Sequence, residues 1–131
     1  MSLRRFARPQ LWQLLAWLLI AAIVSLSLMP PVHLQAWGAP SWNDKLAHFL
    51  AYFLLSAWYA QLYDSAREMR LRVLFCLALG AAMEGLQSLT GTRSADWRDM
   101  LANGAGVIVG GLTWFTAMAG ALQRWDRPVD L

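Results

Sequence analysis

Four apolar runs, each close to the length of a membrane crossing, alternate along this chain with short polar or proline-rich stretches. Leu11 to Met29 is nineteen residues long with only Gln13, Ser25 and Ser27 polar; Leu46 to Tyr63, Val73 to Leu89 and Met100 to Leu122 follow it. A helix of about 20 apolar residues, rising about 1.5 Å per residue, crosses a hydrocarbon core of about 30 Å. The pattern predicts an all-α integral membrane protein with four transmembrane helices over about residues 11–29, 46–63, 73–89 and 100–122, in a single domain spanning residues 1–131. The first run reads as a retained anchor. A cleaved leader has an apolar core of about 7–15 residues before a small-residue site, whereas this run is longer and ends in Met29, Pro30 and Pro31. No internal repeat, low-complexity tract or long linker interrupts the pattern.

The stretches between the runs carry their own signals. Pro30, Pro31, Gly38 and Pro40 predict a loop over residues 30–43, where Trp37 and Trp42 suit a membrane interface. His33 reads there as a solvated residue. Ser41 stands three before Asp44, the spacing of a capping box. Asp64 to Arg72 reads as a charged connection, Gly91 as the left-handed residue after a helix, and Ser94 or Asp96 as the cap of the next one. Residues 123–131 read as a polar tail. Of the eleven lysines and arginines, eight fall in the two tails and the connection after the second run, against Lys45, Arg93 and Arg98 on the other side. That asymmetry places both termini in the cytoplasm.

Composition agrees with a lipid environment. The chain has 131 residues, 58% of them hydrophobic and 15% charged, against about 25% charged in soluble domains. A net charge of +3, with basic residues at segment ends and not in a patch with interleaved aromatics, excludes a nucleic-acid binder. Cys76 stands alone in an apolar run, so neither a disulfide framework nor a cysteine metal site can be drawn.

Several polar residues interrupt the runs in register. Asp96, Asp99, Asn103, Gly106 and Gly110 recur at steps of three and four, forming one polar and small stripe that faces protein. Lys45, His48 and Tyr52 share a face at the start of the second run, with Asp44 one turn before His48; Glu84 and Gln87 share a face near the end of the third. Antiparallel helices bring these segments to one depth at the outer boundary. An ionisable group costs about 2.5–3.5 kcal/mol at the bilayer centre, less near the interface, so Glu84 requires either a polar network with Lys45, His48, Arg93 or Gln87, or a functional role as a binding or catalytic carboxylate. His48 is open to the same two readings. A metal site would need His48 with Glu84, Asp96 or Asp99, but no HExxH or clustered histidine spacing supports one; no metal and no cofactor is expected. Gly106 and Gly110 form GxxxG, a close-packing signal.

Three segments carry a family likeness. DKLAHFLAY at 44–52, EGLQ at 84–87 and RSADWRDMLANGAGVIVG at 93–110 resemble the VanZ-like family of small membrane proteins, whose pattern runs DKxxHxxxY, ExxQ, RxxDxxDxxxNxxGxxxG. Asp44, Lys45, His48, Tyr52, Glu84, Gln87, Arg93, Asp96, Asp99, Asn103, Gly106 and Gly110 occupy the matching positions, while Ala95 departs from the aromatic or aliphatic residue often found there. The resemblance implies a multi-pass protein of the bacterial cytoplasmic membrane. Its founding member is associated with resistance to the glycopeptide teicoplanin, but the family brings no agreed biochemical activity.

Two classes of function fit these residues. One is a cell-envelope binding protein whose outer cluster (Asp44, Lys45, His48, Tyr52, Glu84, Gln87, Arg93, Asp96, Asp99 and Asn103) takes a lipid headgroup, a lipid-linked cell-wall precursor or a partner protein. The other is a membrane-embedded enzyme with Glu84 or His48 as acid or base on a lipid-borne substrate, which no visible serine or cysteine nucleophile supports. A transporter is the weakest, because four spans without an inverted repeat leave a thin pathway unless several copies assemble.

Overall fold

The computed structural model describes residues 3–36, 38, 44–91 and 94–127. The described residues are helical throughout apart from turns and one isolated bridge. The helices are α1 (Pro9–Leu28), α2 (Pro31–Ala36), α3 (Asp44–Leu62), α4 (Ala66–Thr90) and α5 (Trp97–Leu112), then a 3-10 turn (Thr113–Phe115) and α6 (Ala121–Trp125). The four long helices run alternately up and down. One end of the bundle, the terminal end, gathers the start of α1, the end of α3, the start of α4 and α6. The other, the loop end, gathers the start of α3 with the end of α4 and the start of α5. At the terminal end the Arg4 amide donates to the Leu62 carbonyl at 2.8 Å and Leu3 bridges to Tyr63; at the loop end the Gln87 side-chain amide donates to the Ser27 carbonyl at 2.6 Å, fixing the end of α1 to α4.

α3 and α5 form the most extensive contact, and the small stripe explains why. A methyl group on Gly106 would strike the carbonyl oxygen of Phe49, and one on Gly110 the carbonyl oxygen of Phe53. The two backbones therefore touch, which only glycine allows. Ser56, fully buried on α3, donates its hydroxyl to the Val107 carbonyl of α5 at 2.8 Å. The GxxxG reading thus holds, with α3 as the partner. Gly91 ends α4 at φ +65°, as expected.

Three boundaries differ from the pattern. Residues 31–36, expected as loop, form α2, because Pro31 at a first helical position sacrifices no hydrogen bond. The charged connection shrinks to Asp64 and Ser65. Arg67, Glu68, Arg70 and Arg72 are good helix formers and make up the first turns of α4, with Arg72 lying 4.7 Å over the Tyr63 ring. The last run stops being α-helical at Leu112, not Leu122. The Thr113 hydroxyl donates to the Gly110 carbonyl at 2.7 Å, and the chain then folds back so that Trp114 donates to the Tyr63 carbonyl at 2.9 Å and the Gln61 side-chain amide to the Met118 carbonyl at 2.9 Å. Trp37, Ser41, Trp42 and Arg93 lie outside the described residues.

The polar tail is tied down. Asp126, only 4% exposed, accepts from the Trp12 indole at 2.6 Å, the Arg8 amide at 3.0 Å and the Arg8 guanidinium at 3.1 Å, while its carbonyl takes the Ala7 amide at 3.0 Å. The indole proton, followed by the Arg8 donors, holds its carboxyl below the ordinary carboxylate range. The sign follows from linkage. Stabilisation by this clasp is complete above the unperturbed value of about 3.9 and is lost as pH falls through the lowered one. Tryptophan emission should report that opening, since the Trp12 and Trp125 rings lie 6.0 Å apart. Asp126→Asn should abolish the acid step; an unchanged step in that variant would assign it to another carboxylate.

Candidate functional site

The loop end collects most of the polar residues. α3 begins with Asp44, Lys45 and His48 on one face, and the stripe of α5 sets Asp99 and Asn103 opposite them. Close helix contact at Gly106 and Gly110 brings the two faces together. The Lys45 ammonium lies 3.3 Å from Asp99 Oδ1 and 3.5 Å from Asp96 Oδ2. His48, largely buried, places Nδ1 2.9 Å from Asn103 Oδ1. With an amide oxygen there, Nδ1 is the donor of this bond. Nε2 faces Asp99 Oδ2 at 3.7 Å and Asp44 Oδ2 at 3.8 Å.

Asp96 caps α5, accepting from the Arg98 amide at 2.9 Å. That bond, ahead of the nearby Lys45, holds the Asp96 carboxyl below its usual range. Beside it opens a polar pocket of about 250 Å³ lined by Asp44, Lys45, Ser94, Asp96 and Asp99. Exposed Leu46, Trp97, Met100 and Leu101 occur on the same helix ends.

Other predicted residues serve beneath the pocket or away from it. Glu84 is buried, and its Oε1 accepts from the Asp96 backbone amide at 2.7 Å. Glu84 Oε2 and the Tyr52 hydroxyl are buried with no hydrogen-bond partner among the described residues. Tyr52 sits against Gly80 of α4, where Asn103 also packs. Gln87 is buried and bonded to α1, away from the pocket.

The polar loop end and the helices that carry it match the family model described as VanZ/LLP1 over residues 11–118. The chain belongs to the VanZ/LLP1 family. No curated protein and no solved structure matches it. VanZ/LLP1 proteins are membrane-associated, and α1 and α4 are long and apolar enough to cross a membrane. The family match takes in the whole loop-end cluster but excludes Arg8 and Asp126, so the clasp at the terminal end lies outside it. Sequence spacing did not reveal Ser94 as a pocket residue, nor the clasp: a lone aspartate between Trp125 and Arg127 looks like any solvated tail.

Proposed function

We propose that this VanZ/LLP1 protein crosses the cytoplasmic membrane with all four long helices, keeps both termini inside, and uses the loop-end pocket outside to hold the polar head of an amphiphile, a lipid or a lipid-linked cell-wall precursor. The observation that carries the reading is a small charged pocket at a helix-bundle end whose helices also expose Leu46, Trp97, Met100 and Leu101. Such a surface suits a ligand with a polar head and an apolar tail lying at headgroup depth. The charge pattern supports the orientation. Among the described residues, Arg4, Arg5, Arg8, Arg67, Arg70, Arg72, Arg124 and Arg127 belong to segments at the terminal end, against Lys45 and Arg98 at the loop end.

Asn103 and Gln87 use their amides within the protein, whereas Lys45, Ser94 and the aspartates line the pocket. A role for this site in teicoplanin susceptibility, implied by the family resemblance, is part of the proposal. Reporter fusions after residues 37 and 92 should read as extracytoplasmic, and fusions after residue 67 and at Leu131 as cytoplasmic. A cytoplasmic reading at residue 92 would overturn the location of the pocket. Phospholipid retained by detergent-purified protein should fall several-fold in Lys45→Gln at unchanged folded yield, and the same substitution should cancel any teicoplanin phenotype of the native protein. Equal lipid retention by variant and native protein would sink the headgroup reading.

A further inference from the structure

An imidazole nitrogen and two carboxylate oxygens converge beside the pocket. His48 Nε2, Asp44 Oδ2 and Asp99 Oδ2 face one another, the imidazole lying 3.8 and 3.7 Å from the two oxygens, and ligand atoms of all three residues lie within 4.8 Å of one another. These separations exceed hydrogen-bond reach. Ligands about 2.0–2.2 Å from a tetrahedral metal ion sit about 3.4 Å apart, so the imidazole needs to close on each carboxylate by only a few tenths of an ångström, and rotation of the exposed Asp44 side chain closes the gap between the two carboxylates.

Independent observations point the same way. The bond from His48 Nδ1 to Asn103 Oδ1 orients the ring so that Nε2 is the nitrogen turned toward the two carboxylates, the arrangement by which an outer hydrogen bond positions a metal-binding histidine. Lys45 engages the opposite oxygen of Asp99, Oδ1, at 3.3 Å, and so aims Oδ2 at the imidazole. Among the described pocket residues, Asp44, Asp96 and Asp99 set against Lys45 leave two negative charges.

We propose that Asp44, His48 and Asp99 bind one divalent cation of the zinc or manganese class, with its remaining positions open to the pocket. One imidazole with two carboxylates suits borderline zinc or oxygen-seeking manganese better than a thiol-seeking metal. The sequence names His48 and Asp99 among possible ligands but offers no supporting spacing, because the ligands come from two helices, with Asp44 and His48 on α3 and Asp99 on α5. The cation also resolves an electrostatic difficulty in the functional reading, since an acidic pocket repels a phosphoryl head and a bound dication attracts it. That last step rests on the headgroup reading; metal binding itself does not.

The test uses the full chain in detergent, treated with EDTA and titrated with Zn²⁺ by calorimetry and with Mn²⁺ by electron paramagnetic resonance. Saturable binding of one ion per chain is expected. Asp99→Asn and His48→Asn should each weaken it at least tenfold, and Asn103→Ala by about tenfold. Asp64→Asn, at the terminal end, should bind as the native protein does. Asp44 is exposed at a helix start, so Asp44→Asn keeps the test decisive if a core variant fails to fold; gel filtration and tryptophan emission report folding. No saturable binding by folded native protein, or native affinity in folded Asp44→Asn and Asp99→Asn, would overturn the site. Intact metal binding without EDTA-sensitive retention of phospholipid would leave the metal site standing and remove only its link to a phosphoryl head.

Discussion

Gly106→Leu is expected to abolish most of the folded protein, while Ala105→Leu, one residue away, should accumulate normally. The side chain added at Gly106 meets the Phe49 carbonyl and the Phe53 amide, which are backbone atoms and cannot rotate away. α3 and α5 must then separate, and that contact also holds Ser56 on the Val107 carbonyl and Lys45 beside Asp99. Overpacking a well-filled interior costs about 1–3 kcal/mol, and more where the backbone must move. Set against a total stability of about 5–15 kcal/mol, this is a large loss. Ala105 is exposed, where substitutions usually stay within about 0.5 kcal/mol. Folded yield after gel filtration measures both variants. Even Gly106→Ala should show a deficit, because the first carbon is the one that collides. Equal yields for the two leucine variants would show that the stripe does not form the interface.

What could be read from the sequence depended on whether a signal was local. The period of the small stripe marked one face of α5 as a packing face, since glycines at steps of four have few other uses in an apolar helix. It could not name α3 as the partner, because pairing is decided by the whole bundle. The cluster of Asp44, Lys45 and His48 with Asp99 and Asn103 was legible as residues sharing one depth, but its hydrogen bonds were not. Which oxygen of Asp99 meets Lys45 and which meets His48 depends on rotamers fixed by both helices. Hydropathy misplaced the end of α5 for a physical reason. Trp114, Phe115 and Met118 are as apolar as a span, yet Thr113 competes for a helix carbonyl and Gln61 captures the returning chain. Arg8 and Asp126 are separated by most of the chain, and no local pattern joins them.

Glu84 separates a positioning role from a chemical one. Its Oε1 holds the Asp96 amide, and Asp96 in turn caps α5 and faces Lys45; the carboxylate itself does not line the pocket. Glu84→Gln keeps an oxygen for that amide and is expected to accumulate normally, retain phospholipid and bind Zn²⁺ as the native protein does. Glu84→Ala removes the acceptor. An unsatisfied buried donor costs about 1–3 kcal/mol, toward the lower end here because the bond is only partly buried. The loop from residue 94 to residue 96 should then loosen, and lipid retention should fall more than folded yield does, since the pocket depends on Ser94 and Asp96 while the α3–α5 contact does not. Abundance and retention are therefore measured together for both variants. Normal abundance with lost retention in Glu84→Gln would contradict the positioning role, because only the ionisable carboxyl has then been removed. That outcome would assign Glu84 to proton transfer or cation binding, and with it favour an enzyme over a binding protein.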